Sequence, residues 1–488
     1  MAHFAPKIPP RMMTKLTSTF VFFALVALAT AYTPDRWWTK PGLCSSEIKT
    51  HAQPRTWPTS HGWHDRTLEW IHEKLITCPS LTSLDLSIGI TGCEVYSGPQ
   101  NLPLDPFNNT KYVAALESLE LQDYELDGRI LDWATEPPVW YKEPLDADSI
   151  SEYEEDGIDW RHFQNIAQSW SSYTTGCSLP ESQCHLTNLE LWTKAMDFSK
   201  LRHLALAGCT GDVELLTTHL APKLSSLRSL SFSGSKYVDM FLALGKNTLH
   251  RIALVNNDPY QESEFVHFDK FKAYMAHHAD PLKSLEWRMH ETHGTLGLSQ
   301  IPMSDLRNLH TLAPNLEELT MDLNRNGTWP MEVLDAIVEG APASLKNLTL
   351  YLELTSDCRH QQDVFLWGSS DDAQGECLGI DRYRQPILNA ETATPLFNHL
   401  IHKAHEAGKP ALTTAKFRSG YWGRIVQGGG LILGYPWLEE QQKKNFNGDV
   451  TCTMLRDDGS RYEPGGGICS SPRDPSKYYG GLRPPLFF

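Results

Sequence analysis

One short pattern, L-x-x-L-x-L, recurs along the chain and limits its possible folds more than any other feature. Nine good copies, with conservative replacements, run from residue 81 to residue 350. They are Leu81-Thr-Ser-Leu84-Asp-Leu86, Leu116-Glu-Ser-Leu119-Glu-Leu121, Leu186-Thr-Asn-Leu189-Glu-Leu191 and Leu201-Arg-His-Leu204-Ala-Leu206. Leu227-Arg-Ser-Leu230-Ser-Phe232, Leu249-His-Arg-Ile252-Ala-Leu254 and Leu282-Lys-Ser-Leu285-Glu-Trp287 follow, then Leu316-Glu-Glu-Leu319-Thr-Met321 and Leu345-Lys-Asn-Leu348-Thr-Leu350. A weaker tenth copy is Leu412-Thr-Thr-Ala415-Lys-Phe417. The end of each copy alternates apolar with polar residues, the period of a strand with one buried face. Between copies lie segments with helical spacing, such as 67–77 and 331–339. In the first of these, Trp70, Ile71, Lys74 and Leu75 recur at i, i+3 and i+4, and Pro79 stops the run.

A strand plus a helix per unit is the signature of a leucine-rich repeat. No such unit buries its apolar face alone, whereas stacked units share one core and align their strands in a parallel sheet. The predicted fold class is therefore α/β, a leucine-rich repeat solenoid (horseshoe) with irregular repeats. That architecture suits 488 residues, more than one compact core normally sustains. Leu189 and Leu204 are fifteen residues apart, below the usual repeat length of about 20–29, while Leu119 and Leu189 are seventy apart. The second gap implies a long insertion, 122–185, holding Pro137-Pro138 and an acidic run from Asp146 to Asp159. The domain layout expected is a signal peptide at 1–31, an N-terminal cap at 32–78 and repeats at 79–354. A second insertion and degenerate last repeat follow at 355–425, then a β-rich C-terminal cap and tail at 426–488. In that cap, 449–456 and 461–469 flank Asp457-Asp-Gly-Ser460, which reads as a hairpin turn.

The phrases Cys78-Pro-Ser-Leu-Thr-Ser-Leu-Asp-Leu86 and Phe198-Ser-Lys-Leu-Arg-His-Leu-Ala-Leu-Ala-Gly-Cys209 resemble the leucine-rich repeats of F-box-type proteins. They are especially similar to the large, divergent set found in filamentous fungi. Cys209 stands where the cysteine-containing repeat subtype places it, L-x-x-L-x-L-x-x-C. The resemblance spans roughly residues 64–425 and implies fold more than activity. Such proteins carry an N-terminal F-box that docks onto a ubiquitin ligase. Here that position holds residues 32–66, rich in Trp, Pro and His, and shows no F-box, so the adaptor role does not carry over.

The first residues read as a secretory leader. Lys7, Arg11 and Lys15 precede an apolar run from Phe20 to Ala29, and Ala29-Thr30-Ala31 is a small-residue cleavage site. No later run is long enough for a membrane helix. All ten cysteines follow the leader, as suits an oxidising compartment. The expected pairs are Cys177–Cys184, Cys358–Cys377 and Cys452–Cys469, with Cys44–Cys93 left over. Cys78 and Cys209 are expected as buried thiols. Three sequons, at Asn108, Asn326 and Asn347, agree with export and glycosylation.

The formal charge is −16, from 43 Lys+Arg against 59 Asp+Glu. A general nucleic-acid binder needs the opposite balance, so none is expected. With the leucines turned to the core, the residues beside them face outward on the concave sheet. Asp85, Glu120, Glu190, His203, Arg251, Glu286 and Glu318 are the candidate binding residues on that face. Asn347 shares it, so a glycan there would confine a partner to the earlier repeats.

The sequence offers no residues that can be assigned as catalytic, cofactor-binding or metal-ligating. His290-Glu-Thr-His293 is one residue short of a zinc-protease motif, and His402-Lys-Ala-His405-Glu406 has its acid misplaced. Gly428-Gly-Gly430 lacks phosphate-loop spacing. The expected function is secreted binding, with a protein ligand of basic or neutral surface. The alternatives are a secreted hydrolase with its site in the insertion or C-terminal cap, and an F-box-like adaptor whose true start lies elsewhere.

Overall fold

The structure is a computed structural model. It describes residues 44–52, 66–88, 101–102, 104, 111–128, 186–256, 266–289, 300–324, 328–352, 388–410, 412–419, 449–454 and 467–471. The leader, Asn108, Asn326, Cys93, Cys177, Cys184, Cys358, Cys377, the acidic run 146–159 and the motifs at 290–293 and 428–430 lie outside them.

Residues from 46 onward form one compact unit built on a twelve-stranded sheet whose strands follow chain order. β1 (Glu47–Ala52), β2 (Ser83–Ile88), β3 (Ser118–Gln122), β4 (His203–Ala207) and β5 (Ser229–Ser233) open it. β6 (Arg251–Asn256), β7 (Ser284–Met289), β8 (Glu318–Leu323), β9 (Asn347–Leu352) and β10 (Thr414–Ser419) continue it. These ten pair in parallel. β11 (Asp449–Met454) and β12 (Gly467–Ser470) then close the row antiparallel. A parallel sheet in strict chain order is compatible with a solenoid.

The register follows the motif. Leu84 pairs with Leu119, Leu119 with Leu204, and so on through Leu230, Ile252, Leu285, Leu319 and Leu348 to Ala415. Every member of this row is essentially buried. The connecting segments supply the other wall of the core, chiefly α1 (Arg66–Thr77), α2 (Asn188–Ala195), α3 (Phe268–His277), α4 (Met303–Arg307), α5 (Met331–Gly340) and α6 (Ala390–Glu406). Their apolar faces and the strand leucines belong to one continuous cluster. Around Trp287 it is aromatic: Phe271 lies 4.6 Å from its ring centroid and Phe268 5.4 Å.

Four expectations need correction. The copy Leu186-Thr-Asn-Leu189-Glu-Leu191 is not a strand. Thr187 caps α2, accepting from Glu190 N at 3.2 Å, while Glu190 Oε2 accepts from Thr187 N at 2.7 Å. This reciprocal box satisfies two donors that an uncapped helix leaves open. The fifteen-residue spacing from Leu189 to Leu204 is thus helix plus strand, not two strands. The sheet also starts one strand before the first motif copy, because β1 lies inside the region expected as a cap.

The long insertion does not begin at residue 122. Gln122 ends β3, and residues 126–128 are tied to α2 by Asn188 N→Gly128 O at 2.8 Å and Leu189 N→Leu126 O at 2.9 Å. Finally, Cys78 is not a free thiol: both Cys78 and Cys44 are disulfide-bonded. Cys209 is free and buried as expected, its thiol lying 3.6 Å from the Leu121 and Ala207 carbonyls. Burial pushes that thiol up to about 12, so it stays protonated.

Candidate functional site on the outward sheet face

Side chains alternate across a strand, so the residues between the buried leucines share the opposite face. Asp85, Glu120, His203, Arg251, Glu286 and Glu318 all stand there, on β2, β3, β4, β6, β7 and β8. Glu190 does not: its carboxylate serves the α2 cap and lies 3.7 Å from His219.

Much of this face is neutralised from within. Asp85 is nearly buried and pairs with Lys49 of β1 at 2.9 Å, directly opposite in register. Glu286 pairs with Arg251 at 2.9 Å and approaches Arg288 at 3.6 Å. Glu318 accepts a 3.4 Å hydrogen bond from the Asn347 amide. Asn347 is the first residue of β9 and part-exposed, so the third sequon lies at the rim of the face. The acidic appearance in sequence is therefore softer in space.

Between β4 and β6 the face is almost featureless. Ala205, Ala207, Ser229, Ser231, Ser233 and Ala253 occupy it, flanked by Val255. Beyond β6 it becomes a ladder of charged and aromatic groups. The Arg288 side chain is 7% exposed, with Asp322 at 3.6 Å and its guanidinium carbon 3.2 Å from the Tyr351 ring centroid. Such stacking offsets part of the cost of removing a guanidinium from water. Arg418 donates to the Tyr351 hydroxyl at 2.8 Å and pairs with Asp449 of β11 at 3.6 Å. Arg288, Asp322, Tyr351 and Arg418 thus bind β7 through β11 together across the outward face. The motif ended one residue too early to expose them. Carrying its period-2 alternation one step further places all four on this side.

His402, from the motif at 402–406, and the buried His278 have ordinary partners. His402 pairs with Glu406 at 3.0 Å, one turn away on α6. His278 is fully buried, its Nε2 2.8 Å from the Phe241 carbonyl. Among the described residues, no group of three or more His, Cys, Asp or Glu could hold a metal ion, and no helix is long and apolar enough to cross a membrane. Cys452 and Cys469 stand opposite each other on β11 and β12 and are disulfide-bonded, as the spacing predicted.

Compared with known proteins, the chain matches no family model and no curated sequence at a significant level.

Proposed function

We propose that this chain is an exported leucine-rich repeat solenoid of the fungal type and binds another protein through the outward face of its sheet. The observation that carries the reading is the in-register leucine row. It commits one side of every central strand to the core and leaves a broad, polar, part-exposed surface on the other. Sheets of this kind present such a face as a binding surface. The disulfides support an oxidising compartment, and hence export over the ubiquitin-ligase adaptor. Asp85 is buried, whereas Glu318 is exposed and Glu120 part-exposed, so these two are the acids that a partner can reach. A partner with a neutral or mildly basic surface suits them.

The test is capture of partners from culture medium by the tagged, exported chain. Wild type and a Glu120→Lys/Glu318→Lys variant are compared with a helix-side control, Glu73→Lys on α1. A partner held by wild type and the control but lost by the face variant supports the reading. Equal capture by all three places the interaction elsewhere on the molecule.

A further inference from the structure

A second surface lies along the starts of the central strands. The residue before each strand hydrogen-bonds to its counterpart on the next unit: Arg202 N→Glu117 O at 2.8 Å, Arg228 N→Arg202 O at 2.8 Å and His250 N→Arg228 O at 2.7 Å. Lys283 N→His250 O at 2.8 Å and Glu317 N→Lys283 O at 2.7 Å continue the row. The backbone thus stacks Arg202, Arg228, His250 and Lys283 on four consecutive rungs. All four are exposed. The first outward residues of β4 and β6, His203 and Arg251, are exposed beside them.

In a chain of net charge −16 this is a local reversal of sign. The facing acids are fewer, two at the ends of the row and Glu286 on the adjoining sheet face. Glu117 meets Arg202 at 3.6 Å, Glu286 meets Arg251 at 2.9 Å, and Glu317 is shared by Lys283 at 2.7 Å and Lys346 at 3.0 Å. Those two lysines hold the Glu317 carboxyl down to about 2. At the centre, the imidazole of His250 is held below its ordinary range by burial and by the charges of Arg228 and Lys283. Exposed pairs such as Arg202–Glu117 contribute little and exchange partners readily.

We propose that this basic rim is a docking strip for a short acidic peptide segment. Its length argues for that class. Strands lie about 4.8 Å apart, so four rungs span roughly 15 Å. Glu117 and Glu317 close it at either end, and the acidic remainder of the molecule repels anything longer. A long polyanion such as nucleic acid would overrun both ends. The strip borders the Glu120–Glu318 surface, but Arg228 and Lys283 precede their strands and Glu120 and Glu318 lie on theirs, so the two readings are tested by different variants.

The test is fluorescence anisotropy of a labelled hexaglutamate peptide with the full-length exported protein at low salt, repeated as salt is raised. Wild type should bind, and binding should weaken steadily with salt. Arg228→Glu/Lys283→Glu should bind about tenfold more weakly. Arg228→Gln/Lys283→Gln, which perturbs folding less, should fall between. Lys416→Glu, on β10, should bind as wild type does. No binding by wild type at low salt, or unchanged binding by the charge-reversed variant, overturns the proposal. Tighter binding of a six-nucleotide single strand than of hexaglutamate overturns the peptide class and makes the rim a phosphate site.

Discussion

Two titratable residues, His278 buried and Asp123 part-buried, tilt stability in opposite directions over the same pH range. His278 sits where backbone groups converge: its Nδ1 faces the Thr248 and Leu249 amides at 3.3 and 3.5 Å, and its Nε2 the Phe241 carbonyl. Amide donors at Nδ1 fix the neutral tautomer with the proton on Nε2. Burial lowers this imidazole from 6.5 to about 4. Between those values the unfolded chain binds a proton that the folded chain does not. Stability therefore falls as pH drops, by about 3 kcal/mol at pH 4. Asp123 behaves in reverse. It occupies a left-handed backbone position, φ 55°, and burial raises its carboxyl from 3.8 to about 6. There the folded chain holds the extra proton, so stability falls as pH rises from 3.8 to 6. The expected outcome is that wild type shows little net slope from these two groups between pH 4 and 6, and that single variants unmask each. Asp123→Asn suits the same backbone conformation and should leave the His278 slope bare: urea midpoints should drop as pH falls from 6.5 to 4. His278→Gln should be less stable at pH 7 yet keep only the opposite slope. If His278→Gln lost stability towards pH 4 as steeply as Asp123→Asn, the imidazole would not be the source.

At the scale of elements, one glycine reverses the usual helix rule. Gly340 is the last residue of α5, where propensity alone favours alanine by about 1 kcal/mol. A Cβ at this position, however, would run into the Leu306 carbonyl oxygen and the Arg307 backbone of α4. Backbone atoms cannot rotate away, so the two helices must separate. Lys409 adds to the constraint, donating to the Val338, Glu339 and Ala341 carbonyls at the end of the same helix. Gly340→Ala is expected to destabilise by about 1–3 kcal/mol, against its helix propensity. A midpoint of chemical unfolding at or above wild type would show that α4 and α5 can move apart freely.

The same scale shows what the sequence disclosed. Eight of the nine good copies and the weak tenth form strands, because three apolar positions with this spacing are enough to pin register. The exception, at Leu186, carried its own warning. Thr187 and Glu190 stand three apart at the start of an apolar run, the capping-box signature, and local capping outweighed the repeat pattern. β1 escaped notice because Ile48, Thr50 and Ala52 stand where other units have leucines, and Thr50 is polar. The Arg288–Tyr351–Arg418 ladder was hidden for a different reason. Its members are diverse in type and far apart in sequence, and only the register of β7 to β10 brings them together.

For the whole molecule, strand order equal to chain order means that each strand is held mainly by its immediate neighbours in sequence. Damage at one end need not reach the middle. The C-terminal end offers the cleanest case. Among the described residues, β12 has a pairing partner on one side only, β11, and Gly467 reaches α6 through a 3.3 Å hydrogen bond from its amide to Asn398 Oδ1. The Cys452–Cys469 bond closes a loop with a sequence separation of 17. Removing such a crosslink costs about 3 kcal/mol by the loop-entropy relation, and all of that loss falls on the last two strands. In a Cys452→Ala/Cys469→Ala variant, amides of β11 and β12 should exchange with deuterium much faster than in wild type. Those of β5, β6 and β7, four or more strands away, should keep their protection. A parallel fall in protection across β5–β7 would mean that the sheet opens as one cooperative body. The end strands would then act as a clamp on the entire core rather than as a local cap.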